Sequence, residues 1–570
     1  MKFTLKKVLA VFMVLSMLVA AGCQAVSGLD VNQVIKNMTK VTSAEGKYQM
    51  EFKLHVDEAK IIEQASEDDI DAVAAALRQF TNIKLVIDQY KLQDETHASM
   101  KGAFIFGDES KVGFELRMTD KLMVLSLDGA KRSFSFDLTG EQEKILREKY
   151  YESEYGISYS ELYGDEPTAM NVEDEELVAA IQQITDLITD YSISRLPNIE
   201  RLKVETSTEV INGESVPLFN LQGELKGMEL WNWIKNLIDA ILKDREELEK
   251  LLNEIFTIAL EHEERFASLG FGATDPYLYD EEYDEYDEFI DQAVDEESDL
   301  YGVEDEAELT PEELKDQLVE ELIQALQELK LSMNEIETED EETLKQVLND
   351  SLKVSFHYGI DTSLNVRKQN FSIDYRLDEQ LQEELGMQGF EGFTLSSSAE
   401  QWNINGEVIA NEPKISLGTV SIESLEYMQG YEILRLFEEG SWIYNMLRDE
   451  AHITEQTYWS YVDADWDYAV YVNKQKQAMI PAREIIEEFG GKVSVDKASN
   501  RIVLYDDATN TTIEIQVGSQ TAIINGEQVQ WSSPVQTRNG ITFVPARDMA
   551  QALAADIFWS NGYLEITREP

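Results

Sequence analysis

Cys23 carries the most reactive side chain near the N-terminus. It is the only cysteine among 570 residues, so the chain has no partner cysteine for an internal disulfide or for a thiolate metal site. It follows three lysines and the apolar run 8–21, which is too short to span a bilayer comfortably and is typical of a secretory signal. Cleavage beside Cys23 would leave its thiol at the start of the mature chain.

The residues around this cysteine resemble the lipobox of bacterial lipoproteins. The apolar run ends in Val19-Ala20-Ala21-Gly22-Cys23, with Ala20 where leucine is commoner. The resemblance implies a signal peptide over 1–22, lipidation of Cys23 (diacylglycerol and palmitate) and a tether over 23–30. We therefore expect a lipid anchor in the cell membrane, on its extracytoplasmic face, with Cys23 as the one predicted site residue. The alternative is a buried cysteine beside an ordinary secretory signal.

The other side chains capable of chemistry form no recognisable site. The five histidines are scattered along the chain, at His55, His97, His262, His357 and His452. Asp463, Asp465 and Asp467 begin like a calcium loop, but Lys474 stands where the bidentate glutamate belongs. Phosphate loops, His-Glu-x-x-His motifs and serine-nucleophile elbows are absent from the sequence. We expect no metal, no cofactor and no enzymatic activity, although an absent motif does not disprove an enzyme.

Net charge limits the class of partner. The sequence has 111 acidic and 48 basic residues, which gives a formal charge of −63. Such a field repels nucleic acid and anionic headgroups, and no run of basic residues follows the signal. Nucleic-acid binding is therefore excluded.

An acidic segment interrupts the chain at 270–309. From Asp275 to Glu308 there are 17 acidic residues and no lysine or arginine, with tyrosines interleaved. Repulsion and few aliphatic residues predict a linker or exposed loop. Weak binding of divalent cations is the alternative.

Alternating apolar and polar residues predict an antiparallel meander before this linker. The clearest strand runs over 48–56. Further strands are predicted at 85–87, 104–106, 114–118, 123–127, 134–138, 202–206 and 217–221, and helices at 141–151, 172–188 and 228–266. The pattern indicates an α+β domain over 31–269, in which a curved antiparallel sheet packs on helices.

This meander behind a lipobox resembles the periplasmic lipoprotein-carrier fold and its Gram-positive surface relatives. The resemblance implies a half-barrel-like sheet whose concave face holds acyl chains. The alternative is that the inward Met and Phe side chains form an ordinary core.

A second β-rich block follows the linker, over 310–455. A capping box at Thr310-Pro311-Glu312-Glu313 predicts a helix. Strands are predicted at 353–360, 364–366, 371–377, 393–397 and 402–408. The block either completes the first sheet or is a degenerate copy of it, and the sequence leaves both open.

The C-terminus contains an internal repeat. Met479-Ile480-Pro481-Ala482-Arg483-Glu484 is matched 64 residues later by Phe543-Val544-Pro545-Ala546-Arg547-Asp548, and Asn525-Gly526 between them signals a hairpin. This pattern resembles the copper amine oxidase N-terminal-like, or stalk, domain, and predicts a small α+β domain over 470–570. The resemblance implies an appended non-catalytic module. We expect Arg483 and Arg547 to hold the turns through an ion pair or a carbonyl bond.

Three functions are consistent with the sequence. The first is a non-enzymatic, membrane-anchored surface lipoprotein that binds or scaffolds a component of the cell envelope. The second is a carrier or sensor of a lipid-like ligand, which requires an apolar cavity between sheet and helices. The third is an envelope hydrolase, which requires a cleft where carboxylates or a histidine converge. The partner and the oligomeric state are left open.

Overall fold

The chain forms two compact units. The computed structural model describes residues 28–66, 70–94, 96–107, 110–140, 144–145, 147–149, 175–197, 199, 201–262, 311–339, 341–415, 418–461, 469–560 and 562–570. Cys23, the acidic segment, Asp463 to Asp467 and part of the predicted helix 141–151 lie outside these residues. The first unit spans 1–125 and 135–416, and the second spans 126–134 and 417–570. Within the described ranges, no helix is long and apolar enough to cross a membrane.

One curled, half-barrel antiparallel sheet organises the first unit. Its strands are β1 (Ala44–Val56), β2 (Asn82–Leu92), β3 (Ala98–Phe106), β4 (Ser110–Met118), β5 (Leu122–Leu127), β6 (Phe134–Asp137), β7 (Lys203–Ile211), β8 (Glu214–Lys226), β9 (Lys353–Ile360), β10 (Val366–Arg376) and β11 (Phe390–Trp402). They lie in the order β6-β5-β4-β3-β2-β1-β11-β10-β9-β8-β7. The predicted α+β class and curved antiparallel sheet are therefore confirmed.

The two β-rich segments of the sequence contribute to this same sheet. β1 pairs with β11 from Glu45 opposite Trp402 to Val56 opposite Phe390, and β8 pairs with β9 along its second half. The later strands are thus inserted between β1 and β8. Of the two arrangements that the sequence left open, the structure has the first, because β9–β11 complete the sheet.

Helices cover the apolar face of this sheet. The helices of the first unit are α1 (Val31–Met38), α2 (Glu58–Gln64), α3 (Ile70–Phe80), α4 (Glu175–Ile193), α5 (Gly227–Lys243), α6 (Arg245–Glu261), α7 (Pro311–Glu339), α8 (Glu341–Val347) and α9 (Glu379–Glu384). Val34 and Trp233 from α1 and α5 pack with Phe356, Tyr358 and other strand residues in one buried cluster. Burial of apolar surface on this scale supplies most of the free energy that holds sheet and helices together.

A second helical layer lies around α6 and α7. Ile323 of α7 is fully buried and packs with Leu248 of α6 and with Val319. The Nε1 group of Trp231 donates to Glu337 at 2.8 Å, and Lys235 forms an ion pair with the same carboxylate. These contacts join α5 to α7, whose start the capping box had predicted.

The structure departs from the predicted strand pattern in three places. Two helices, α2 and α3, occupy the segment between the first two strands, where no helix was predicted. The predicted strands 364–366 and 371–377 are one strand, β10, after a turn in which Leu364 has a φ of 63°. The predicted strand 402–408 is absent because β11 ends at Trp402 and is followed by left-handed residues at Asn403 and Asn405. Short-range alternation therefore did not locate strand ends.

Three small sheets and short helices build the second unit. Its elements are β12 (Val420–Ser421), a 3₁₀ turn (Ile422–Tyr427), α10 (Gly430–Leu434), α11 (Trp442–Asn445), a π turn (Met446–Glu450), β13 (Gln456–Tyr461), β14 (Tyr471–Val472), β15 (Ala478–Pro481), α12 (Ala482–Glu488), β16 (Lys492–Asp496), β17 (Arg501–Asp506), β18 (Thr511–Ile515), β19 (Thr521–Ile524), β20 (Glu527–Gln530), β21 (Gln536–Arg538), β22 (Ile541–Pro545), α13 (Ala546–Ala552), β23 (Asp556–Ser560) and β24 (Tyr563–Arg568). The sheets have the orders β13-β24-β23, β14-β15-β22-β21 and β16-β17-β18-β19-β20.

The internal repeat forms the centre of this unit. Each Pro-Ala-Arg motif lies where a strand, β15 or β22, passes into a helix, α12 or α13, and the two strands pair. Asn525 and Gly526 both have positive φ in the turn between β19 and β20, as a two-residue hairpin requires. The same core includes Tyr458 of β13, so the compact unit includes residues before position 470.

A buried ion pair lies inside the second unit. Arg568 and Asp506 have side chains that are 1% and 0% exposed, and Arg568 Nη2 donates to Asp506 Oδ1 at 2.8 Å. Arg568 also donates to Gln456 Oε1 and to the carbonyl of Leu553, and its guanidinium lies 4.4 Å from the centre of the Phe489 ring. Burial alone would raise the pKa of Asp506, but the hydrogen bonds from Arg568 and Thr509 lower it. The buried guanidinium of Arg568 and the buried carboxylate of Asp506 therefore stabilise each other, and removal of either leaves the other without a counter-ion.

We expect Arg568→Met to destabilise the second unit by about 3–5 kcal/mol, because it leaves the Asp506 carboxylate buried without a counter-ion. Urea unfolding followed by the fluorescence of tryptophan, with Trp531 buried in this core, measures the loss. Arg483→Met is the matched control: it removes an exposed pair with Glu487 and should change stability by at most about 1 kcal/mol.

The same pair predicts a pH dependence. Because the pKa of Asp506 is lowered by folding, its contribution is present above the unfolded-state value of about 3.9 and is lost as the pH falls through the lower folded value. In Arg568→Met, burial raises the pKa of Asp506, so its carboxylate takes up a proton at a higher pH than in the wild type. The difference in unfolding free energy between wild type and Arg568→Met should therefore begin to narrow above about pH 4 and continue to narrow below it. A difference that is unchanged across this range would contradict the role of the pair.

Candidate functional site

An open groove of about 680 Å³ lies on the polar face of the first unit's sheet. Its floor comes from six neighbouring strands, β1, β11, β10, β9, β8 and β7. The lining residues are Gln49, Arg201, Lys203, Gln222, Gly223, Glu224, Lys353, Ser355, Phe356, His357, Asn370, Phe371, Ser372, Ser396, Ser397 and Ser398. Most of them are polar, and the helices that bury the sheet's other face supply none of them.

Strand register arranges the floor as two rows of polar side chains. The first row crosses the strands as Gln49, Ser398, Asn370, His357, Gln222 and Lys203, each opposite the next. The second row, two residues away along each strand, crosses as Glu51, Ser396, Ser372, Ser355 and Glu224. Because side chains alternate between the faces of a strand, both rows project from the same face.

The floor is rich in groups that both donate and accept hydrogen bonds. Serine hydroxyls and the amides of asparagine and glutamine each do so, which suits them to ligands that carry hydroxyl or amide groups. The hydroxyl of Ser355 is buried and has no hydrogen-bond partner among the described residues. Unpaired polar atoms of this kind are costly in a core and are more common where a site meets water or a ligand.

One end of the groove carries a cluster of charged side chains in which the basic groups outnumber the carboxylates. The Glu224 carboxylate lies 3.0 Å from the ammonium groups of both Lys226 and Lys353, and 3.4 Å from Arg201. Burial alone would raise the pKa of Glu224, but the hydrogen bonds from the two lysines outweigh burial and lower it. Arg201 also pairs with Glu229. The carboxylate is therefore ionised and engaged, which leaves it poorly suited to act as an acid or base.

The other end carries a hydrogen-bonded chain of side chains. His357 Nε2 donates to Asn220 Oδ1 at 3.1 Å, and the Asn220 amide donates to Ser207 Oγ at 2.7 Å. Ser207 donates to Glu209 at 3.2 Å, and Glu209 accepts from Lys368 at 2.6 Å. The bond from Lys368 lowers the pKa of Glu209. This chain ties β7, β8, β9 and β10 together and holds the His357 ring in place.

The arrangement suits binding better than covalent catalysis. Among the lining residues, all of which the structure describes, Glu224 is the one carboxylate, and it is ion-paired. His357 is bonded to an amide and to no serine or carboxylate in the hydrogen bonds found at its ring. An activated nucleophile needs a base within hydrogen-bond reach and a third group that orients the base. His357 and the serines that line the groove do not form such an arrangement in the hydrogen bonds found among the described residues.

Packing on the opposite face of the sheet requires a glycine at one position beneath the groove. Gly223 of β8 lies beside the Phe356 ring of β9, and a Cβ atom at position 223 would come within 2.3 Å of that ring. Phe356 is buried in the apolar core beneath. Glycine at this position therefore lets the two strands approach while the ring stays in the core.

The histidines singled out in the sequence lie apart from one another. His55 and His357 both lie on the sheet, but His55 bonds to Thr394 and His357 to Asn220. His97 contacts Asp94, and His452 pairs with Glu569 in the second unit. In the part of the chain that the structure describes, no three histidine, cysteine or acidic side chains are grouped to hold a metal ion.

The structure also shows where the two arginines of the Pro-Ala-Arg repeat lie. Cys23 is outside the described residues. Arg483 donates to Glu487 at 2.7 Å, one turn along its own helix, and Arg547 is exposed at the start of α13. The groove itself was missed, although the alternation of Lys47, Gln49 and Glu51 had indicated a polar face of β1. The groove also needs the polar residues of the strands next to β1. No short stretch of sequence shows which strands those neighbours are.

Comparison with known proteins identifies one family match, in the C-terminal part of the chain. Residues 462–567 match the copper amine oxidase N-terminal domain, which confirms the resemblance inferred from the Pro-Ala-Arg repeat. Searches of curated proteins and of solved structures found no match. The groove lies outside the matched residues, so the family has no bearing on its ligand.

We expect Gly223→Ala to cost about 1–3 kcal/mol of unfolding free energy, because the new methyl group displaces a buried ring. Ser355→Ala, on the neighbouring strand, is the matched control. It removes a hydroxyl that has no partner and should be neutral or stabilising. Urea unfolding of both variants measures the difference, and equal losses would contradict this packing.

Proposed function

We propose that this chain is a non-enzymatic surface lipoprotein, anchored in the membrane through Cys23, which binds an extended polar ligand of the cell envelope. The groove is the observation that carries the proposal. Its two polar rows run across six and five strands, so a ligand that lies along them meets the same kinds of hydrogen-bonding group over most of its length. Such a site recognises a chain of similar units better than one compact molecule.

The charges of the groove indicate which polar ligands it accepts. Glu224 is balanced by lysines, and Glu209 is balanced by Lys368. The remaining floor is uncharged apart from Lys203 and Arg201 at one edge and Glu51, which pairs with Lys84, at the other. The uncharged serine, asparagine and glutamine side chains of the floor suit a polymer with many hydroxyl or amide groups, whereas a strongly anionic polymer is repelled by the net charge of the whole chain. We infer a neutral glycan or peptide strand of the envelope.

Anchoring supports this role. A lipid on Cys23 would hold the protein at the membrane and raise its local concentration beside envelope polymers. A binding site of modest affinity then suffices, because tethering makes the encounter effectively intramolecular.

A second candidate, carriage of an apolar ligand, has one observation in its favour. On the apolar face, Phe104 stacks near Phe106 and Phe114, and the rings of Phe80 and Phe104 remain more than a third exposed. Elsewhere on this face Tyr358 and Ile360 are fully buried, which leaves less room for acyl chains. Tight binding of a fluorescent fatty acid, abolished by Phe104→Ser, would favour this function over the first.

Cys23→Ala should remove the protein from the membrane or leave it unprocessed, because the lipid on Cys23 is the only anchor proposed. Fractionation of cells followed by immunodetection measures this. Ser27→Ala, a few residues away, should leave the protein in the membrane fraction. Mature Cys23→Ala protein that stays in washed membranes would contradict the anchor.

A photoreactive residue in the groove tests the binding site. We expect p-benzoylphenylalanine at Ser398 to form an adduct with an envelope component in intact bacteria, while the same residue at Thr208, on the other face of the edge strand, should not. Ser372→Trp, which fills the groove beside Ser396, should abolish the adduct. Equal adducts at both positions, or an adduct that persists in Ser372→Trp, would contradict a groove ligand.

A further inference from the structure

The three-stranded sheet β13-β24-β23 of the second unit has one face that displays aromatic rings. Along these strands buried and more accessible residues alternate, and Trp459, Tyr461, Phe558 and Tyr563 all occupy outward positions. Trp459 is 51% exposed, Phe558 57% and Tyr461 60%. We call these four side chains the aromatic face. Exposed aromatic groups on this scale are unusual unless they bind something.

Three of the four rings contact one another across two neighbouring strands. Trp459 and Tyr563 are stacked with centroids 5.5 Å apart, and Tyr461 lies 6.2 Å from Tyr563. Phe558 stands on the far strand, in the row that contains Trp459. Rigid rings on a sheet lose little conformational entropy on binding, which is why aromatic side chains often supply the energy of interfaces.

Carboxylates are the only charged groups on this face. Glu565 stands between Trp459 and Phe558 in the same row, and accepts a hydrogen bond from Thr567 at 3.2 Å. Asp556 points outward at the start of β23. Every residue of these three strands is described, and no outward position holds lysine or arginine; the one basic side chain, Arg568, is buried in the core.

We propose that the aromatic face docks a basic segment of a partner polypeptide, with lysine or arginine side chains placed over the rings. Charge complementarity selects this partner: a cation is attracted both by the electron-rich faces of Trp459 and Phe558 and by the Glu565 carboxylate between them. The large negative charge of the chain adds long-range attraction for the same partner.

This inference goes beyond the proposed function. The aromatic face belongs to the second unit, whereas the groove belongs to the first. Occupancy of either site therefore tests only the proposal made for that site. A groove without a ligand would leave the aromatic face unaffected as a site for a basic partner.

Binding of a labelled peptide to the full-length chain tests the proposal. The probe is a fluorescein-labelled peptide in which lysine alternates with serine, and its control has glutamine in place of lysine. At physiological salt, fluorescence anisotropy should show binding of the lysine peptide only. Trp459→Thr and Phe558→Thr should each weaken it by about 2- to 5-fold, and Glu565→Gln should do the same.

Two control variants distinguish binding of the lysine peptide at the aromatic face from its general electrostatic attraction to an acidic protein. Val495→Thr removes an equally exposed apolar side chain of the same unit, and Glu527→Gln removes one exposed carboxylate. Neither should change the affinity. Equal weakening in test and control variants would overturn the proposal. So would tight binding of the glutamine peptide, or a dimer in sedimentation velocity that Trp459→Thr dissociates.

Discussion

Antiparallel pairing between β1 and β11 joins two parts of the first unit that are far apart in sequence. Each strand is 13 residues long, and nearly every residue of β1 has a partner on β11. A slip of one residue would turn the polar side chains of β1 towards the helices and expose Met50 and Phe52, so burial of the apolar face determines the register. The groove depends on this register, because it places Gln49 beside Ser398.

Two-faced strands explain how one sheet supports both a core and a binding surface. The apolar residues of β8 to β10 pack against α1 and α5, and the polar residues of the same strands contribute to the groove. A substitution on one face of the sheet can therefore alter the other face, because it changes the spacing between strands. Gly223 shows this directly, since a methyl group there would displace the buried Phe356 ring beneath the groove.

The sequence predicted elements with a strong local signal and missed those that depend on distant partners. β1 was visible from its alternation. The predicted strands at 202–206 and 217–221 correspond to β7 and β8, and the Asn212-Gly213 turn that joins them has positive φ at both residues, as a two-residue hairpin requires. The Pro-Ala-Arg repeat predicted the paired strand-to-helix turns of the second unit. In contrast, α2 and α3 were missed, and the groove was missed because the order of six strands is set by long-range pairing. The buried pair of Arg568 with Asp506 had no signal either, since acidic residues are common throughout this chain.

The groove requires that β1 and β11 lie side by side in one sheet and that both strands contribute polar residues to it. Engineered cysteines test this requirement in the Cys23→Ala background, where no other thiol competes. Gln49→Cys with Ser398→Cys should form a disulfide on mild oxidation, because directly opposed residues of antiparallel strands lie within the required distance. Gln49→Cys with Lys203→Cys, at the two ends of the same row, should not. A disulfide in the second pair, or none in the first, would contradict this account of the sheet.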